Sequence, residues 1–181
     1  MKKIIGIIVA IVVIVGALII IVQLGENVTT KYGLDELTRE ELVHYLEYER
    51  DKPVQLQAQI MPNEINISDD KIKQTISLKK DDFYLSVAPY VNQTHPCTNH
   101  VPTGCQGELA LRDFDVKIVG DDGTVYFDDT IQSAMNGFFG IWLPRNIVGT
   151  IYVTNRFGSA SQKIRTSSDD PTCLTTLQLS N

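Results

Sequence analysis

Three cysteines and two of the three histidines are the residues of this chain best suited to chemistry. Cys97 and Cys105 lie in His95-Pro96-Cys97-Thr98-Asn99-His100-Val101-Pro102-Thr103-Gly104-Cys105, and Cys173 follows near the C-terminus in Asp170-Pro171-Thr172-Cys173-Leu174-Thr175-Thr176-Leu177. An odd number of thiols cannot all pair within one chain, so either one is left over or all three do something else. Three thiolates meeting at one point form a soft, trigonal pocket that suits Cu(I). Zn(II) is the rival, with His95 or His100 completing a Cys3His tetrahedron, although Cys-x7-Cys is not a zinc-finger spacing. The plainest alternative is a structural disulfide between Cys97 and Cys105, closed by the turn Val101-Pro102-Thr103-Gly104. A thiol oxidoreductase would carry Cys-x-x-Cys, which is missing. From residue types and spacing a metal site stands only slightly ahead of a disulfide with a spare thiol. His95 and His100 read equally as first ligands for Cu(II), which imidazole suits, or as solvent-exposed loop residues.

The compartment comes from the N-terminus. After Met1-Lys2-Lys3 an Ile/Val-rich run extends from Ile4 to Val22 without a charge. At about 1.5 Å per residue it reaches about 28 Å, close to the hydrocarbon thickness of a bilayer. The two lysines should stay inside, leaving the rest of the chain outside. The run is longer than the apolar part of a cleaved signal, and Val22-Gln23-Leu24-Gly25 is a poor cleavage site, so an uncleaved single-span anchor is expected first and a secreted or periplasmic product second. Formal charge is −6 overall, and −8 without Lys2 and Lys3. No basic patch accompanies it, which argues against nucleic acid as a partner. Gly-x-Ser-x-Gly and His-Glu-x-x-His are both missing, so a hydrolase finds little support.

The elements that must position the thiols fall into two groups. Thr38-Arg39-Glu40-Glu41 is a capping box opening a helix with Leu42, Tyr45 and Leu46 on its apolar side, running toward Pro53. His44 reads there as a surface or half-buried residue. Val54–Ile60 and Lys71–Leu78 read as strands, separated by turn-like Pro62-Asn63-Glu64 and Ser68-Asp69-Asp70. From Asp82 the pattern is all-β. Phe83–Tyr90 leads into the cysteine loop, Asp121-Asp122-Gly123 and Asn136-Gly137 mark turns, and short strands continue to Leu179. The expected fold is α+β: residues 1–25 an anchor or signal, 26–80 a small helix-plus-strand domain, and 81–181 a mostly antiparallel β-sandwich-like domain holding the thiols. The region Asp122-Gly123 through Pro144 is also similar to carboxypeptidase-regulatory-type sandwich domains. A homodimer is compatible with so small an N-terminal domain.

Four motifs resemble the CueP family of exported copper-binding proteins over roughly Leu34 to Leu179. They are Ser86-Val87-Ala88-Pro89-Tyr90 ahead of His95-Pro96-Cys97, Cys97-x7-Cys105-Gln106-Gly107-Glu108-Leu109, Asn136-Gly137-Phe138 with Trp142-Leu143-Pro144, and Asp170 to Leu177 around Cys173. The resemblance implies a copper site on Cys97, Cys105 and Cys173; it leaves His95 and His100 open between auxiliary ligand and plain loop residue. It also implies a periplasmic or cell-surface role in copper resistance, with thiol-dependent reduction of Cu(II) to Cu(I). Delivery of copper would be to a client metalloprotein, such as a periplasmic superoxide dismutase, or to a copper exporter. The anchor departs from the soluble members of the family and points to a cell without an outer membrane.

Overall fold

The computed structural model describes residues 27–180. Its first element is a single turn, α1 (Val28–Lys31), followed by α2 (Arg39–Tyr48). The capping box closes α2 as its sequence requires, with Thr38 Oγ1 accepting from the Glu41 N–H and Glu41 returning a carboxylate oxygen to the Thr38 N–H. The helix stops at Tyr48, several residues before Pro53, because Glu49 turns extended. Leu42, Val43 and Leu46 form its buried stripe, and Glu47 is buried with them. His44 is exposed and stacks on Tyr48.

Three antiparallel strands follow in the order β1 (Gln57–Ile60), β2 (Glu64–Ser68) and β3 (Lys73–Ser77). The central strand, β2, was not expected from the sequence. Turn signals flank it so closely that only Ile65 and Ile67 remain to carry the alternation, and both are buried. β1 is shorter than expected, since Val54 is 94% exposed. Leu56, Ala58, Ile60, Ile65 and Ile67 pack with Val28, Leu34 and the α2 stripe into one apolar cluster.

The remaining strands make two facing sheets. One has the order β10-β4-β7, with β4 (Asp82–Val87) antiparallel to β7 (Phe139–Pro144) and parallel to the two-residue β10 (Cys173–Leu174). The other is fully antiparallel, β6-β5-β8-β9, from β5 (Asp113–Gly120), β6 (Val125–Gln132), β8 (Val148–Asn155) and β9 (Gly158–Arg165). Period-2 alternation turns Phe114, Val116 and Ile118 of β5 inward against Phe83, Leu85 and Val87 of β4, giving the expected sandwich. Full burial of each such side chain is worth roughly 1.5–3 kcal/mol. β4 is buried on both faces because its other side carries Tyr84 to the α2 cluster, where Trp142 also packs.

No helix among the described residues is long and apolar enough to cross a membrane. The anchor expected over Ile4–Val22 lies outside the described residues.

Candidate metal centre

Tertiary folding brings the three cysteines together. Cys173 is delivered by β10, whose parallel pairing sets it opposite Ser86 of β4. Cys97 and Cys105 come from the long connection between β4 and β5. That loop is held at both ends. Glu108 accepts the backbone N–H groups of Val91, Asn92 and Gln93 together with the Asn92 side-chain amide. The expected turn forms as well, with Gly104 and Cys105 N–H both donating to Val101 C=O. Gly107 crosses Gly137 at backbone contact; a Cβ on Gly107 would lie 2.8 Å from the Gly137 carbonyl, so neither position admits a side chain.

Thr172 sews three segments into one surface. Its hydroxyl accepts from the His100 N–H at 3.1 Å and donates to the Ile60 carbonyl at 2.6 Å. The Ile60 N–H in turn donates to His100 C=O at 2.7 Å. The end of β1, the cysteine loop and the C-terminal segment are therefore registered before any sulfur contact is counted.

Cys97 and Cys173 form a disulfide, and Cys105 is the free thiol. In the alternative reading of a structural disulfide, Cys97 pairs with Cys105 through the local turn; the partner is instead Cys173. The turn does bring those two sulfurs to 3.7 Å, but β10 places Cys173 closer still. His100 Nδ1 lies 3.9 Å from Cys173 Sγ, and its Nε2 is 2.7 Å from a carboxylate oxygen of Glu47. Two groups of donor atoms result, each with all atoms within 4.8 Å of one another: His95, Cys97 and Cys105, and His100, Cys105 and Cys173. Cys105 belongs to both. His95 is half-buried at the rim, its ring centroid 6.1 Å from that of Phe138. His100 is fully buried, which overturns the reading of it as a solvent-exposed loop histidine.

Electrostatics favour a reactive thiol here. Burial lowers the His100 pKa, but the neighbouring Cys105 sulfur and the hydrogen-bonded Glu47 carboxylate override this and push it up to about 9. Burial likewise raises the Cys105 thiol, yet the His100 imidazolium and the Val101 N–H bring it below its ordinary value. An ion pair of imidazolium and thiolate is the nucleophilic, metal-binding form of cysteine.

Glu47, Asn136 and Thr172 are site residues that sequence reading did not single out for this role. For Glu47 a signal was present: it lies four residues beyond Val43, inside the apolar stripe of α2, where a carboxylate calls for a partner.

Known proteins place the chain. Residues 41–178 match the family model described as periplasmic copper-binding protein CueP. A solved crystal structure described as S.CueP is 41% identical, covering 84% of this chain and 94% of that one, with a TM-score of 0.79. No curated protein matches the chain. With its four motifs, its sandwich and its clustered thiols accounted for, the chain belongs to the CueP family of periplasmic copper-binding proteins.

Proposed function

We propose that this protein binds Cu(I) through the thiolates of Cys97, Cys105 and Cys173, with His100 as the nitrogen donor and His95 as an outer ligand for incoming Cu(II). The convergence of the three sulfurs carries the reading: two are joined in a disulfide and the third stands 3.7 Å away. Soft thiolates stabilise Cu(I) over Cu(II), and the same thiols are the electron source. In the redox step two Cu(II) ions each accept one electron while Cys97 and Cys173 lose their protons and form the S–S bond. Copper then leaves as Cu(I); without net oxidation, all three thiolates hold Cu(I).

The role is copper resistance or delivery at the outer side of the cell membrane, with a client metalloprotein or an exporter as recipient. Tethering through residues 4–22 is supported by the length and apolarity of that run. Division at about residue 80 into an N-terminal α+β domain and a copper-binding sandwich is supported by two apolar clusters that meet only through Tyr84 and Trp142.

The test is an anaerobic Cu(I) titration of reduced protein against a competing chelator, for wild type and each Cys→Ser variant. Losing a ligand should weaken binding by more than the roughly 10–100-fold typical of losing an outer partner. Equal affinity in all four proteins would refute the three-thiolate site. For the redox step, Cu(II) added to reduced protein should consume two thiols as two Cu(I) appear; unchanged thiols with unreduced Cu(II) would exclude it.

A further inference from the structure

The Asn136-Gly137-Phe138 turn and the buried Glu47 of α2 are connected, and the connection ends at the sulfur cluster. It starts from the backbone. The Phe138 N–H donates to Asn136 Oδ1 at 2.9 Å, which settles which end of the amide is oxygen. Asn136 Nδ2 then donates to Glu47 Oε1 at 2.7 Å. The other oxygen, Oε2, meets His100 Nε2 at 2.7 Å, and both side chains are fully buried. A carboxylate has no hydrogen to give, so the proton at this contact sits on Nε2. Nδ1 is left facing Cys173 and Cys105. The imidazole is held on its other sides too. Phe138 covers its face with ring centroids 4.6 Å apart, and Thr172 takes its backbone N–H.

We propose that Glu47, aligned by Asn136, is a positioning residue that makes Nδ1 of His100 the nitrogen donor to Cu(I). The proposal rests on the three-thiolate reading of the site and deepens it. The N-terminal helix, which carries no sulfur, then supplies the group that orients the metal-facing nitrogen. A carboxylate on the far nitrogen of a ligating histidine fixes the ring and raises its donor strength.

Long-range 1H–15N correlation spectra of 15N-labelled, fully reduced protein test this before and after one equivalent of Cu(I), which is diamagnetic. In the wild type Nε2 should keep its proton in both states, and Nδ1 should be the nitrogen whose shift changes on loading. In Glu47→Gln one acceptor faces two donors, Asn136 Nδ2 and His100 Nε2–H. The Nε2 proton should no longer be fixed, and Cu(I) affinity should fall by about 10–100-fold. Asn136→Ser should move both readouts the same way by less. An unprotonated Nε2 in the wild type, or a copper-induced change on Nε2, overturns the proposal, and neither result depends on a variant folding. Glu47→Gln with wild-type spectra and affinity also overturns it. Failure of the three-thiolate reading is distinguishable: the Cys→Ser variants would then bind Cu(I) like wild type, while copper-free spectra still decide the His100–Glu47 contact.

Discussion

The identity of the disulfide can be read from its energetics. Cys97 and Cys173 are 76 residues apart, whereas Cys97 and Cys105 are 8 apart. In the chain-entropy treatment, cross-linking the longer loop stabilises the fold by about 4.5 kcal/mol and the shorter by about 2.5 kcal/mol. Urea denaturation of oxidised and reduced forms, without copper, measures the difference within each variant, so the cost of a serine cancels. Wild type and Cys105→Ser should each lose about 4.5 kcal/mol on reduction. Cys173→Ser, left with the short pair alone, should lose no more than about 2.5 kcal/mol. No redox difference in Cys105→Ser, with a full one in Cys173→Ser, would refute the assignment. By linkage the native fold favours the oxidised pair by the same free energy. For a two-electron couple that is about 100 mV toward stronger reductant, the direction a donor to Cu(II) needs.

Three further outcomes follow from the scaffold. Burial opposes ionisation of Glu108, but the N–H groups of Asn92, Val91 and Gln93 hold its pKa down to about 2 from 4.5. Because the folded value is the lower one, its contribution is complete above about pH 4.5 and fades as the pH falls toward 2; amide exchange at residues 91–93 should rise across that window, and Glu108→Gln should abolish the dependence. Gly140→Ala would drive a Cβ into the hydroxyl of buried Tyr84 on the paired strand, at a cost of about 3 kcal/mol in urea denaturation, and an unchanged midpoint would show that Tyr84 can yield. Arg145 spans the β1–β2 turn and the start of β4 through Asn63 Oδ1 and the carbonyls of Pro62, Lys80 and Asp82. Arg145→Ala should destabilise by about 2 kcal/mol, and lysine should not rescue it, since a single ammonium cannot reach four acceptors in that fork.

What could be read from sequence was whatever local patterning controls. Thr38 and Glu41 announce the start of α2 because a capping box is complete within four residues. The alternation through Phe114, Val116 and Ile118 announces β5, since strand pleating sorts neighbours between core and solvent. β2 escaped because only Ile65, Asn66 and Ile67 lie between the two turn signals, too short a pattern. Glu47 escaped because the apolar side legible in the sequence runs through Leu42, Tyr45 and Leu46, whereas the buried stripe also takes in Val43 and, one turn on, Glu47.

Residue types and local spacing show that three thiols and two histidines are on hand, that Cys97 and Cys105 flank a turn, and that an apolar run precedes a charged, mostly β chain. Which sulfurs bond, which histidine is buried and what orients it emerge with the packing. Those outcomes depend on contacts between residues far apart in the chain: Cys97 with Cys173 across 76 positions, His100 with Glu47 across 53, and Asn136 with Glu47 across 89. A local turn can bring Cys105 near Cys97. The parallel pairing of β10 with β4, set by sandwich packing rather than by any neighbouring residue, places Cys173 in bonding contact with Cys97.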